Sequence, residues 1–129
     1  MNILDENIGD DQREYLRAQR IRVHRIGYDI GQAGMKDEAI IPWLLQLPHS
    51  TFFSRDLDFY RRGLVHRHYC LVYLAIERDV VAEYVRRVLR HPEFNTAAKR
   101  MGTVIRAAPT GLTLWRLHAD QESGLAWPD

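Results

Sequence analysis

The stretch Thr51-Phe52-Phe53-Ser54-Arg55-Asp56-Leu57-Asp58-Phe59 joins a short run of strand-forming residues to two aspartates. Its first four residues predict a strand, because β-branched and aromatic side chains suit the half-buried surface of a sheet. The chain begins with the same order, since the largely apolar residues 1–4 stop at Asp5. Ligand sites in open α/β sheets lie beyond the carboxyl ends of the strands. We therefore expect Asp5 and Asp56 to lie near each other.

Strands and helices alternate along most of the chain, which predicts a mainly parallel sheet covered on both faces. Pro109-Thr110-Gly111 is a turn signal between two late strands, and it predicts a C-terminal β-hairpin. The expected elements are a helix over 10–19, a strand over 21–26, a helix over 37–47, strands over 51–54 and 69–76, a helix between Asp79 and Pro92, a short helix over 95–101 capped by Asn95, and strands over 103–107 and 112–117.

A single domain is expected over residues 1–117, because 129 residues are enough to bury a hydrophobic core. Residues 118–129 are polar and lack a clear period, so we expect a loosely held tail or an interface segment. Charged residues make up 27% and hydrophobic residues 46% of the chain, which argues against disorder.

The net charge of +1 predicts no strong overall attraction to nucleic acid, although arginines could still form a local phosphate-binding patch. Cys70 is the only cysteine, the N-terminus lacks an export signal, and the apolar stretches fall short of the about 20 residues that span a bilayer. These features predict a cytoplasmic protein with no membrane partner.

Four carboxylates, those of Asp5, Asp37, Asp56 and Asp58, come from three separate segments. If the fold gathers them, their repulsion must be relieved by a cation, by protonation or by basic neighbours. A hard divalent cation is the commonest partner of an all-oxygen cluster. Taken singly, the same residues could be helix caps or turn formers. Pro42 requires the helix that carries Asp37 to begin close to Glu38 or to kink.

Three blocks resemble, in order and spacing, the signature blocks of the PIN-like superfamily: Ile3-Leu4-Asp5-Glu6-Asn7, Gly31-x-x-Gly34-x-x-Asp37-Glu38-x-Ile40, and Ser54-Arg55-Asp56-Leu57-Asp58-Phe59. More narrowly, they resemble small bacterial PIN-like proteins that open with Leu-Asp-Glu-Asn. The resemblance covers roughly the first half of the chain. It implies a three-layer α/β/α fold and a metal-dependent endoribonuclease, often the toxin of a toxin–antitoxin pair.

The resemblance also implies roles for particular residues. Catalysis and the binding of Mg²⁺ or Mn²⁺ would belong to the principal acids Asp5, Asp37 and Asp56, with Asp58 as a fourth ligand or as a supporting acid. Support for these ligands would come from Glu6, Asn7, Glu38 and Ser54, and Glu38 is the alternative to Asp37. Apart from the resemblance, Arg55, Arg61 and Arg62 lie in or after the third block and could hold RNA phosphates, or they could form a solvated charged face. An antitoxin protein is the expected partner, and the C-terminal tail could serve that contact or a homodimer.

Two other functions remain open at this point. A PIN-like protein without nuclease activity could act by binding a partner. A phospho-acceptor receiver domain would also place an acidic pair after its first strand, here Asp5-Glu6, and an aspartate after its third, here Asp56. It would further need a hydroxyl residue and a lysine after later strands, and Lys99 falls in an expected helix instead.

Overall fold

The computed structural model describes residues 1–129 and contains one seven-stranded sheet flanked by helices. The α/β class and the mainly parallel sheet that the sequence predicts are confirmed. In chain order the elements are β1 Asn2–Leu4, α1 Asp10–Ala18, β2 His24–Arg25, α2 Asp37–Leu44, β3 Ser50–Ser54, β4 Tyr69–Leu74, α3 Val81–Arg90, α4 Ala97–Arg100, β5 Thr103–Ala108, β6 Gly111–Arg116 and β7 Ser123–Leu125.

The sheet has the strand order β2-β1-β3-β4-β5-β6-β7, in which the first five strands are parallel and the last two are antiparallel additions. From β1 the chain moves outward to β2 and then returns to place β3 on the opposite side of β1. The reversal makes the gap between the carboxyl ends of β1 and β3 a topological switch point, where α/β sheets form their ligand crevices.

The hydrophobic core consists of two clusters on opposite faces of the sheet, because successive strand residues point to opposite sides. Leu4 and Phe53 belong to the larger cluster, which packs against α1 and α3. Their neighbours Ile3 and Phe52 belong to the smaller cluster, which packs against α2. The central strands are thus covered on both sides, and their side chains at these positions are fully buried.

Several element ends differ from the predicted ones. The helix α2 begins at Asp37 but ends at Leu44, three residues before the expected end. Pro42 lies inside it and cannot donate a backbone hydrogen bond, which weakens the second turn. The cap of α4 is Thr96 and not Asn95, because the Thr96 hydroxyl accepts from the backbone N–H of Lys99.

The predicted loose tail instead contributes a strand. Residues 123–125 form β7, which pairs with β6 at the edge of the sheet. Gly111 permits this pairing, since a Cβ atom at that position would lie 2.9 Å from the carbonyl oxygen of Leu125. Beyond β7, the indole of Trp127 donates a 2.7 Å hydrogen bond to the carbonyl of Ala108. None of the helices combines the length and apolar character needed to cross a bilayer.

Candidate functional site

Three carboxylates converge beyond the carboxyl ends of the central strands. Asp37, Asp56 and Asp58 each offer one oxygen, and these oxygens all lie within 4.8 Å of one another. We call these three residues the acidic cluster. Asp37 and Asp58 are exposed and Asp56 is partly exposed, so the cluster faces solvent. The structure therefore brings together three of the four acids that the sequence singles out.

A tight turn after β3 explains how Asp56 and Asp58 come to share a site. The carboxylate of Asp56 accepts a 2.9 Å hydrogen bond from the backbone N–H of Asp58 and so caps a short 3₁₀ turn over Leu57–Phe59. The aromatic ring of Phe59 is buried against Phe52, with ring centroids 5.0 Å apart. Burial of Phe59 holds the turn down while the two aspartates stay at the surface.

Asp5 lies beside the acidic cluster and is tied to it through Ser54. The register of β1 and β3 pairs Leu4 with Phe53, so the two strands end level with each other. The buried hydroxyl of Ser54 donates a 2.6 Å hydrogen bond to the Asp5 carboxylate. The same hydroxyl accepts a 3.0 Å hydrogen bond from the backbone N–H of Asp56. One side chain thus positions two of the predicted acids.

Asp37 reaches the cluster from the first position of α2, directly after a loop that Glu6 holds in place. The carboxylate of Glu6 accepts hydrogen bonds of 2.9 and 3.1 Å from the backbone N–H of Gly34. The loop also passes close to Glu6 at Gly27, where a Cβ atom would lie 2.9 Å from a carboxylate oxygen. Nothing in the sequence pattern identifies Glu6 as this clamp, because the contact spans 28 positions along the chain.

Both Asp37 and Asp5 have carboxyl groups whose pKa is raised above the ordinary value. For Asp37, partial desolvation contributes most, followed by the negative charge of Asp56, with Asp5 and Asp58 adding to it. For Asp5, burial raises the pKa most, the hydrogen bonds from Ser54 and the backbone of Glu6 oppose this, and the charge of Asp56 adds to it. The four acids therefore act on one another electrostatically.

The remaining predicted site residues have less direct positions. Asn7 is exposed and makes no hydrogen bond to Asp5, although it lines a cavity of about 290 Å³ with Asp5, Ser54 and Asp56. Glu38 is exposed and contributes no oxygen to the acidic cluster. The role expected of Asn7, holding the Asp5 side chain, is instead filled by Ser54 and the backbone N–H of Glu6.

The three predicted RNA-binding arginines are all exposed, but each has a protein partner. Arg61 lies 3.5 Å from the carboxylate of Asp58 and is the one that contacts the acidic cluster. Arg55 donates a hydrogen bond to the backbone carbonyl of Ile76. Arg62 donates to the carbonyl of Ala119 and lies 3.6 Å from the carboxylate of Asp120. The cluster is therefore only partly neutralised by neighbouring cations.

The donor set suits a hard divalent cation. Every group that the cluster offers is a carboxylate oxygen, and Mg²⁺ and Mn²⁺ prefer such ligands over nitrogen or sulfur. The open, exposed geometry also suits Mg²⁺, which keeps several of its own water ligands.

Comparison with models of protein families, with curated proteins and with solved structures finds no match to this chain.

Proposed function

We propose that this protein is a metal-dependent endoribonuclease of PIN-like type, which hydrolyses RNA phosphodiester bonds in the cytoplasm. The observation that carries the proposal is the convergence of Asp37, Asp56 and Asp58, with their oxygens within 4.8 Å, at a switch point of the sheet. The three carboxylates have fewer cationic neighbours than negative charges, so they repel one another. A bound cation would relieve that repulsion.

The acidic cluster would hold Mg²⁺ or Mn²⁺, with Asp5 at its side. A divalent cation in such a site supplies Lewis acidity, which makes water more acidic and offsets negative charge on a phosphate. The residues of the chain supply position and electrostatics. Ser54 keeps the Asp5 carboxylate and the Asp56 backbone in register, and Arg61, beside Asp58, can meet a phosphate oxygen that approaches the cluster.

The proposed PIN-like fold is supported by the layers around the sheet. The helices α1 and α3 pack with the larger core cluster on one face, and α2 packs with the smaller cluster on the other, as an α/β/α arrangement requires. The strands β5 and β6 pair antiparallel across a two-residue connection, which is the arrangement of the proposed C-terminal hairpin.

The proposal includes an antitoxin protein as partner. Leu57 lies between Asp56 and Asp58 and leaves 60% of its surface exposed. This partner follows from the resemblance to toxins of toxin–antitoxin pairs, and a protein that covered the cluster and contacted Leu57 would block the entry of RNA.

The direct test is cleavage of a mixed RNA pool in the presence of Mn²⁺. We expect the wild-type protein to cleave it and Asp56→Asn to lose activity by roughly 100-fold or more, because a ligand contributes at least as much as the groups that orient it. Asp79→Asn is the matched control, since that side chain is exposed, forms no ion pair and lies outside the cluster. Equal cleavage by the two variants would remove the nuclease assignment from these residues.

A phospho-acceptor receiver domain is the second candidate, and the strand order favours it. The first five strands have the order 2-1-3-4-5 and are parallel, which is the flavodoxin-like order of doubly wound folds. However, Lys99 lies in α4, which leads into the amino end of β5, on the edge of the sheet away from Asp56. Failure of Asp56 to acquire phosphate from a small phosphodonor would exclude this function.

A further inference from the structure

One cavity of the protein lies away from the acids and is strongly basic. It has a volume of about 520 Å³ and opens between α1 and the edge strand β2. We call it the basic groove and define it by the four arginines, the histidine and the tyrosine of its wall: Arg13, Arg17, Arg20, Arg22, His24 and Tyr28. The proposed nuclease chemistry makes no use of these residues.

The positive charge of the basic groove is mostly uncompensated. Arg20 and Arg22 are exposed and form no ion pair, while Arg17 is 71% exposed and only reaches 4.0 Å from Glu14. By contrast, Arg13 is buried and already paired with acids of α1. Asp29, the one acid of the wall, is held by His24 at 3.0 Å. Three guanidinium groups therefore remain free to meet an anion.

An aromatic ring stands at one end of these arginines. The large side chain of Tyr28 is 58% exposed to solvent. The guanidinium group of Arg13 lies 4.1 Å from the ring centroid and braces the side chain. Exposed aromatic rings beside basic residues are the platforms on which proteins stack the bases of single-stranded nucleic acids.

One end of the groove, at Tyr28, lies on the side of the sheet that carries the acids, whereas Arg20 and Arg22 lie toward the amino ends of β1 and β2. The strand β2 pairs directly with β1, and the backbone N–H of Ile26 bonds to the carbonyl of Leu4, the residue before Asp5. Tyr28 follows two residues later. Since neighbouring strands are about 4.8 Å apart, an extended strand leaving the groove at Tyr28 can continue toward Asp5 and the acidic cluster.

We propose that the basic groove binds the sugar–phosphate backbone of single-stranded RNA, with Tyr28 stacking one base, and leads the strand to the acidic cluster. This inference rests on the proposed function, because it names the substrate that the cluster would cut. Planar guanidinium groups spaced along an open groove suit a row of phosphates, which they can bind bidentately. A site for one small anion would instead need hydrogen-bond donors that converge on a single point.

Binding of a fluorescent single-stranded RNA of about 12 nucleotides, followed by anisotropy in EDTA, tests the groove without cleavage. The double variant Arg20→Asn/Arg22→Ala removes two free charges. Asparagine is chosen because Arg20 has a φ of 64°, which asparagine tolerates well. The control Arg67→Ala/Lys99→Ala removes the same charge from exposed positions outside the groove.

We expect the groove variant to weaken the dependence of log K on log salt by about 1.4, since each lost phosphate contact on a single strand contributes roughly 0.7. The control should keep the wild-type slope. Arg20→Lys/Arg22→Lys retains the charges and should largely restore the slope, which separates lost charge from misfolding. Equal slopes for the groove and control variants would overturn the proposal. Wild-type RNA binding whose affinity does not change with salt concentration would also overturn it.

Stacking is tested separately. Tyr28→Ala should weaken RNA binding by roughly 5- to 150-fold, while Tyr28→Phe retains it. Tyr15→Ala is the control, because Tyr15 is 49% exposed on α1 but does not line the groove. Equal effects of the two alanine variants would contradict the role of Tyr28. If the wild type binds RNA through the groove but does not cleave it, the nuclease proposal fails and the groove proposal stands. If the wild type cleaves RNA and the groove variants bind it as tightly as the wild type does, the groove proposal fails and the nuclease proposal stands.

Discussion

Replacing Asp37 by asparagine should stabilise the metal-free protein. The change removes one negative charge from the acidic cluster and keeps the size of the side chain. At 4.8 Å, two unit charges in water repel by about 0.9 kcal/mol, and Asp37 faces two such partners. Screening at physiological ionic strength removes roughly half of this. Relief of this repulsion should therefore contribute about 1 kcal/mol, or roughly 3–5 °C in melting temperature for a chain of this size, from which the lost interaction of Asp37 with the helix dipole subtracts about 0.3–1 kcal/mol.

The gain should depend on pH in a defined direction. Because the pKa of Asp37 is raised in the folded protein, the carboxyl costs nothing below its unfolded pKa of about 3.9, and stability is lost as pH rises through the folded value. The wild type carries the penalty once Asp37 is ionised, whereas asparagine carries none at any pH. The difference in melting temperature between the two proteins should shrink as the pH is lowered toward 4.

Thermal melting in EDTA at several pH values measures the effect, with Glu38→Gln as the matched control. Both residues lie in the first turn of α2, where an acid interacts favourably with the helix dipole by about 0.3–1 kcal/mol. Both substitutions lose that interaction, but only Asp37→Asn removes a negative charge from the acidic cluster. If Asp37→Asn melts at or below the temperature of Glu38→Gln at pH 7, the charge of Asp37 does not destabilise the folded protein.

Three further changes test the packing around the site. Ser54→Ala should cost about 1–3 kcal/mol in urea unfolding, because two hydrogen bonds lose their shared hydroxyl, while Ser50→Ala on the same strand should cost less, since its bond is 3.5 Å long. Thr96→Ala should cost about 1 kcal/mol and Asn95→Ala almost nothing, which thermal melting can distinguish. Trp127→Ala should lower stability by about 1–3 kcal/mol through the lost indole hydrogen bond, and an unchanged unfolding midpoint would mean that the segment after β7 is not docked in solution.

The sequence predicts the parts of the site that depend on local patterns. Asp5 and Asp56 each follow an apolar run, and the rule that ligand sites lie beyond carboxyl strand ends is enough to place them together. Asp37 is harder to predict, because Pro42 leaves open where its helix begins. The structure starts α2 at Asp37 itself and brings that residue into the cluster, while Asp5 stands beside it.

The features that the sequence does not predict all depend on distant partners. The strand β7 has only three residues, Ser-Gly-Leu, and no alternating pattern marks it. It exists because β6 offers a free edge and Gly111 lets the backbones approach. The basic groove has the same origin, since α1 and the segment leading into β2 supply its arginines and only their packing makes a cavity.

The position of Asp37 depends on two opposing contributions, the repulsion within the acidic cluster and the hydrogen bonds that Glu6 accepts from Gly34. The repulsion felt by Asp37 amounts to about 1 kcal/mol after screening, whereas a hydrogen bond to a charged group contributes about 1.5–3 kcal/mol. The Glu6 carboxylate holds the backbone N–H of Gly34, three residues before Asp37. A clamp of that strength can keep the loop in place against the repulsion, so the metal-free cluster need not open. Asp5 and Glu6, adjacent in sequence, thereby organise both sides of the site, one through Ser54 and the other through Gly34.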